Sequence, residues 1–135
     1  MKKWIQVGLV VAMVFFSWSR MQARAAIAPV SPSEALELKN AGKATIVDVR
    51  EQDEIREGMI DGARWIPLSS IQENGEAFKK EISNLDRSRE LFPYCRSGRR
   101  SAQAGAVFQN LGFKVRNLGA FSDWKKAGFP VIQPQ

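Results

Sequence analysis

The sequence places its one cysteine, Cys95, between an apolar run and a short basic segment. Residues 94–101 read Tyr-Cys-Arg-Ser-Gly-Arg-Arg-Ser, so three arginines follow the thiol within five positions. The 135 residues include no histidine, which excludes Ser-His-Asp and Cys-His catalysis and His-ligated zinc. One cysteine also excludes a disulfide within the chain and a cysteine-held metal cluster. Any chemistry must therefore use this thiol, carboxylates or basic side chains.

The segment after Cys95 has the features of an anion cradle. A tight loop that joins a strand to a helix, predicted here to begin at Ser101, turns backbone N–H groups toward one point. A cysteine at that point should have a lowered pKa, because its thiolate is the anion that is stabilised. Arg96, Arg99 and Arg100 add positive charge, and Gly98 permits the bend. The alternative, a small buried hydrophobic cysteine, fits these basic and polar neighbours poorly.

The length of the loop separates two kinds of chemistry. Four residues lie between Cys95 and Arg100, whereas a phosphatase-type loop has five between its cysteine and arginine. The shorter ring favours a smaller group on the thiol, such as one additional sulfur atom. Phosphatase-like or arsenate-reductase-like chemistry is therefore a third hypothesis only, and it also lacks a second thiol to resolve an intermediate.

The elements that must position this loop alternate short apolar runs with helical patterns. This order predicts an α/β fold with a central, mostly parallel sheet flanked by helices on both faces. Five helices are predicted. The first begins at Ser31, the second spans Glu51 to Glu57, and the third runs from Ser69 or Ser70 to about Ile82. The fourth runs from Ser101 to Gly112, and the fifth contains Trp124. Predicted strands cover Ala44 to Val49, Arg64 to Leu68, Leu91 to Tyr94 and Phe113 to Leu118. Pro93 has no explanation from the sequence, because a proline removes a donor from a central strand.

The N-terminus has the pattern of a secretory signal: a basic start, an apolar run from Trp4 to Trp18 and then small residues. We predict a signal peptide over 1–25, with cleavage after Ala28 as the alternative, and a domain over 29–133. Export to the periplasm or another extracytoplasmic compartment follows, although an uncleaved membrane anchor is an open alternative. Residues 1–25 hold four of the 20 basic residues and no acid, so the remaining formal charge is +2. That charge gives no support to a nucleic-acid partner.

Residues 95–100, named the cysteine loop from here on, resemble the active-site loop of the rhodanese family of sulfurtransferases. Three further segments are similar to motifs of that family and follow its order: Ile46-Val47-Asp48-Val49-Arg50-Glu51, then Gly58-Met59-Ile60-Asp61-Gly62-Ala63 with Ile66-Pro67, and Gly119-Ala120 with Trp124, Gly128 and Pro130. The likeness covers residues 31–131, and short exported members of the phage-shock type are similar in size. Met59 and Ala120 depart from the family's usual histidine and glycine.

The resemblance implies a single rhodanese-like domain that moves a sulfane sulfur from thiosulfate or a related donor to a thiophilic acceptor, either cyanide or a thiol. It implies catalytic roles for Cys95, as a persulfide, and for Arg100. The remaining expected site residues are substrate contacts at Arg96, Ser97, Gly98, Arg99 and Ser101, and a supporting ion pair between Asp48 and Arg50. No cofactor or metal, a monomer, and a membrane contact only through an uncleaved N-terminus are expected.

One further function stays open beside this one and the phosphatase-like hypothesis. A sulfur carrier or adaptor module would form the persulfide without efficient turnover.

Trp124 is interpreted as an anchor in the core. The charges from Glu51 to Glu57 are interpreted as a solvated face, so no paired-carboxylate catalysis is expected there.

Overall fold

The computed structural model describes residues 26–134. In chain order its elements are α1 (Pro32–Asn40), β1 (Ala44–Asp48), α2 (Gln52–Ile55), β2 (Met59–Ile60), β3 (Arg64–Trp65), α3 (Leu68–Glu73), α4 (Glu76–Ser83), β4 (Glu90–Cys95), α5 (Arg99–Asn110), β5 (Gly119–Ala120), α6 (Phe121–Lys126) and β6 (Val131–Ile132). The predicted signal segment, 1–25, lies outside the described residues. Within the described range, no helix combines the length and the apolar character needed to cross a bilayer.

The central sheet has the strand order β3-β1-β4-β5, and each pair of neighbouring strands within it is parallel. β1 and β4 form its middle, paired from Ala44 with Glu90 to Asp48 with Tyr94. A short antiparallel ribbon of β2 and β6 lies beside it. The predicted α/β fold with a mostly parallel sheet is therefore confirmed.

The two faces of the sheet carry separate cores, because successive strand residues point to opposite sides. On β1, Val47 packs with residues of α3, α4 and α5, whereas Ile46 packs with residues of α1 and α6. β4 divides in the same way, with Cys95 on the α5 face and Tyr94 on the α1 and α6 face. Since both faces are covered, these strands are nearly all apolar.

The predicted helix start at Ser31 is confirmed: its side chain accepts a hydrogen bond from the Glu34 N–H at 3.2 Å, and Pro32 opens the helix. The single helix predicted to reach Ile82 is wrong, because the chain forms two helices. Asn74, at φ +52°, adopts the left-handed conformation that ends α3, and Gly75 then caps α4.

The predicted strand from Phe113 to Leu118 forms only isolated bridges, and β5 begins one residue later. Pro93 explains the gap. The Leu91 N–H donates to the Lys114 carbonyl, and the Leu118 N–H donates to the Pro93 carbonyl. Pro93 has no N–H, so it cannot donate the strand-to-strand hydrogen bond that would lie between these two. The bonds to β1 remain, so β4 stays a central strand. The strand predicted from Arg64 to Leu68 is likewise only two residues long.

Buried polar groups connect the ribbon to the central sheet. Tyr94 donates its hydroxyl proton to Asp48 at 2.5 Å, and its oxygen accepts the Ile60 N–H at 3.0 Å. Tyr94 and Asp48 are fully buried, so neither group has water as a substitute partner. Trp124 is buried, as expected of a core anchor, and its indole N–H donates to Pro130.

Replacing Tyr94 with phenylalanine should destabilise the protein by about 1–3 kcal/mol, because the Ile60 N–H and an Asp48 oxygen lose a buried partner while the volume barely changes. Urea unfolding followed by tryptophan fluorescence measures the loss. A midpoint equal to that of the wild-type protein would show that these hydrogen bonds contribute nothing net.

Candidate active site

Cys95 is the last residue of β4, and the helix that follows begins at Arg99 rather than at Ser101. Gly98 is the N-cap, so Arg99 and Arg100 stand in the first helical turn and Ser101 is the third helical residue. The predicted start of this helix at Ser101, with the serine as its cap, is therefore wrong. The reason is the backbone: Gly98 adopts φ +94°, which turns the chain into the helix three residues earlier than a cap at Ser101 would.

Gly98 is also confined by its surroundings. A Cβ atom at this position would lie 3.3 Å from the Cα of Gly119, at the start of β5. The Asn117 side chain joins the same two residues, since its amide donates to the Gly98 carbonyl at 3.1 Å and its oxygen accepts the Gly119 N–H at 2.9 Å. Asn117 is not among the site residues expected from the sequence, yet its two hydrogen bonds hold the cysteine loop against the start of β5.

The Cys95 sulfur receives hydrogen bonds from the main chain that follows it. The Gly98 N–H donates to Sγ at 3.0 Å, and the Ser101 hydroxyl lies 3.5 Å from Sγ. That hydroxyl also lies 3.0 Å from the Gly98 carbonyl. With one proton to donate, it serves the carbonyl when the thiol is protonated and can turn to the sulfur when the thiol ionises.

Two opposing effects set the pKa of Cys95. The residue is 0% exposed, and this burial raises the pKa of the thiol. Hydrogen bonds from the Ser101 hydroxyl and from the N–H groups of Ser101, Ser97 and Gly98 lower it, and together they outweigh burial. The pKa of Cys95 is therefore below its ordinary value, and the site favours a thiolate.

Arg100 lies against a carboxylate that the sequence analysis did not single out. Its guanidinium donates to both oxygens of Glu54, at 2.5 and 2.7 Å, in a bidentate ion pair. This pair lowers the pKa of Glu54 and raises the pKa of Arg100. The catalytic role expected of Arg100 stays a prediction. In the structure, Arg100 ties the helix after the cysteine to α2.

The interpretation of Glu51 to Glu57 as a solvated face is wrong for two of its members. Besides the pair of Glu54 with Arg100, Glu51 and Glu54 form a reciprocal capping box at the start of α2. Glu51 also accepts hydrogen bonds from the N–H and hydroxyl of Ser69. The Glu-x-x-Glu spacing was the signal in the sequence that could have indicated this box.

Asp48 and Arg50 form the expected ion pair, with 2.7 Å between Arg50 Nη2 and Asp48 Oδ2, and both side chains are buried. Burial alone would lower the pKa of Arg50, but the hydrogen bonds and charge of Asp48 raise it overall. Arg50 also donates to the Gly58 carbonyl at 2.7 Å and lies 4.2 Å above the Phe121 ring. The pair reaches the cysteine loop through Tyr94, the residue before Cys95. Arg50 also approaches the carbonyl of Glu54 at 3.5 Å, and the Glu54 side chain binds Arg100. The supporting role of the pair stays a prediction.

A cleft of about 720 Å³ opens beside the cysteine loop. Arg96 and Ser97 of the loop line it, together with Asp53 and Glu54 of α2 and Phe121 of α6. Cys95 is buried and, like the exposed Arg99, is not among the residues that line the cleft. Within residues 26–134, no group of three His, Cys, Asp or Glu side chains is arranged to hold a metal ion.

The comparisons agree with this geometry. The model of the family described as rhodanese-like domain matches residues 31–127, so the chain belongs to the rhodanese-like family. A sulfurtransferase of Allochromatium vinosum is 33% identical over 107 residues, which cover 78% of this chain and 94% of that protein. Human thiosulfate:glutathione sulfurtransferase is 33% identical over 105 residues, covering 70% and 90% respectively. The predicted family resemblance is confirmed.

A solved structure shows the same fold. The crystal structure of a rhodanese-related protein from Thermoplasma volcanium superposes with a TM-score of 0.65 at 29% sequence identity, covering 79% of this chain and 99% of that one. Together with the sulfurtransferases above, it places the chain among rhodanese-family sulfurtransferases.

The Cys95 thiolate should persist to lower pH in the folded protein than in the unfolded chain. The rate of alkylation by iodoacetamide, measured across pH, should have its midpoint below that of the same chain in urea, because only the thiolate reacts. Cys95 is the one thiol, so both curves report the same group. Replacing Gly98 with alanine should move the folded midpoint upward. Identical midpoints for folded and unfolded protein would contradict the cradle.

The ion pair of Glu54 with Arg100 should make stability depend on pH. Because the folded pKa of Glu54 is depressed, its contribution is present above the ordinary glutamate pKa and is lost as pH falls through the folded value. The difference in unfolding free energy between wild type and Glu54→Gln should therefore shrink as pH falls. Asp53→Asn is the control on the same helix, since Asp53 forms no ion pair within residues 26–134. An unchanged difference at acid pH would contradict the pair's contribution.

Proposed function

We propose that this chain is a thiosulfate sulfurtransferase that works through a Cys95 persulfide. The observation that carries the proposal is the fully buried Cys95 sulfur, held by the Gly98 N–H at 3.0 Å and with a depressed pKa. A thiolate in such a cradle is a nucleophile that needs no histidine to activate it. The family membership of the chain supports the same reaction class.

In the first half-reaction, the Cys95 thiolate attacks the outer sulfur of thiosulfate. A bond forms between Sγ and that sulfur, and the sulfur–sulfur bond of thiosulfate breaks. Sulfite leaves with the bonding electron pair, so the total charge of −3 is conserved. Arg96, which lines the cleft next to the cysteine, is suited to the sulfonate oxygens, because a guanidinium binds two oxygens at once.

The persulfide left on Cys95 is itself an anion, and the same N–H groups that favour the thiolate stabilise it. Arg100 contributes positive charge from the first helical turn, held in place by Glu54. We propose a positioning role for Arg100, with a charge effect on the sulfur over a distance, rather than a direct hydrogen bond.

The second half-reaction returns the enzyme to its starting state. A thiophilic acceptor, cyanide or a thiolate, attacks the outer sulfur, and the Cys95 thiolate leaves with the electron pair of the broken bond. The two half-reactions share one enzyme form, so ping-pong kinetics are expected.

A sulfur carrier is the second candidate, and the complete burial of Cys95 favours it. A persulfide on a fully buried sulfur is shielded from incidental reductants, which suits storage or delivery to a partner. In that case, the persulfide forms but turns over slowly with small acceptors.

Exposure to thiosulfate should increase the mass of the intact protein by one sulfur atom, located on Cys95 by peptide mass spectrometry. Cys95→Ser should take up no sulfur and lose cyanide-dependent turnover while keeping the wild-type fold by circular dichroism. Rapid turnover with cyanide favours the enzyme, and a stable persulfide with slow turnover favours the carrier. A wild-type protein that never gains sulfur would refute both.

A further inference from the structure

The carbonyl oxygen of Gly98 has more donors around it than it can bind well. The Asn117 side-chain amide lies 3.1 Å from it, the Ala102 N–H 3.2 Å and the Ser101 hydroxyl 3.0 Å. A backbone carbonyl has two lone pairs, so it accepts two good hydrogen bonds at once. The Ala102 N–H is fixed by the helix, whereas a hydroxyl rotates to suit its partners. With the amide of Asn117 in place, the carbonyl therefore does not need the Ser101 proton.

The orientation of the Asn117 amide is dictated by its two partners. A carbonyl can only accept a hydrogen bond and an N–H can only donate one, so Nδ2 faces Gly98 and Oδ1 faces Gly119. The main chain of Asn117 is held as well. Its N–H donates to the Ala28 carbonyl at 2.8 Å, and its carbonyl accepts the Val30 N–H at 3.0 Å. Asn117 thus presents a fixed donor to the Gly98 carbonyl.

The Ser101 hydroxyl has a second partner in the Cys95 sulfur, at 3.5 Å. Ser101 is 0% exposed, so water does not compete for its proton. A hydrogen bond to an ionised partner is also about twice as strong as one between neutral groups. A hydroxyl that is not needed by the carbonyl therefore donates to the sulfur when the sulfur carries a negative charge.

We propose that Asn117 is a positioning residue for the reaction at Cys95, because its amide occupies the Gly98 carbonyl and so directs the Ser101 proton onto the sulfur. Without this amide, the Ser101 hydroxyl fills the free lone pair of the carbonyl and the sulfur loses a donor. The role in the reaction rests on the proposed sulfurtransferase function, whereas the position of the proton is a property of the protein before any substrate binds.

A double-mutant cycle of Asn117→Ala and Ser101→Ala tests the proposal, with the pH midpoint of Cys95 alkylation by iodoacetamide as the readout. Each single variant deprives the thiolate of the same hydrogen bond, so each should raise the midpoint by about one pH unit. The double variant should have the midpoint of Ser101→Ala alone, because no proton is left for Asn117 to direct. Arg100, whose charge interacts with Cys95, and its partner Glu54 are present in every variant.

Further variants and a second quantity separate this effect from a loss of structure. Asn117→Leu fills the space of the asparagine without its hydrogen bonds and should repeat the shift of Asn117→Ala. Asn110→Ala is the matched control, because Asn110 is exposed at the other end of α5, and it should keep the wild-type midpoint. The limiting alkylation rate at high pH reports access to the sulfur, and circular dichroism reports the fold of each variant.

A double variant whose midpoint rises by the sum of the two single shifts would overturn the proposal, since Asn117 would then act independently of Ser101. An unchanged midpoint in Ser101→Ala, or in both Asn117 variants, would overturn it as well.

Persulfide formation from thiosulfate, measured by intact mass across pH, tests the role in the reaction. The pH at which its rate falls to half should rise in Asn117→Ala by as much as the alkylation midpoint does, and an unchanged value would contradict the positioning role. If the wild-type protein forms no persulfide, the proposed function fails, while the alkylation midpoints still determine where the Ser101 proton lies.

Discussion

The site depends on a balance between burial and hydrogen bonding at one sulfur atom. Removing Cys95 from water raises the pKa of its thiol, and the Ser101 hydroxyl together with the N–H groups that follow the sulfur lowers it by more. The outcome requires that these N–H groups already point at the sulfur before the reaction begins, because water cannot reach the site to help. Fixed peptide dipoles in a dry site stabilise an anion more than mobile water does. The same arrangement serves a thiolate and the persulfide that replaces it.

The rest of the domain fixes the position of those N–H groups through three sets of contacts. Tyr94 holds the end of β4 to Asp48 and to the ribbon. Asn117 joins Gly98 to the start of β5. Glu54 holds Arg100 in the first turn of α5. Each of these contacts joins elements that are distant in sequence, so the geometry of a six-residue loop depends on the whole sheet.

This distribution explains what the sequence could predict. Local signals sufficed for the helix at Ser31, for the buried strand β1 and for the cysteine loop, because each depends on residues a few positions apart. Local signals also misled: Ser101 is a typical cap, yet Gly98 starts α5 because a positive φ turns the chain there first. Glu54 and Asn117 could not be assigned from the sequence, since their partners lie 46 and 19 residues away. Only the folded sheet brings them together.

The division between the groups that stabilise the Cys95 thiolate and the side chains of the cleft has a consequence for how such a site can change. Ionisation of Cys95 depends on the Ser101 hydroxyl and on backbone N–H groups of the cysteine loop and the first turn of α5. The cleft beside the loop is lined instead by exposed side chains such as Lys125 and Glu57. These side chains can vary without disturbing the loop, because they make no hydrogen bond to it among residues 26–134. A fold of this kind can therefore keep one chemical step while its donors and acceptors differ, and the walls of the cleft are where selectivity must be sought.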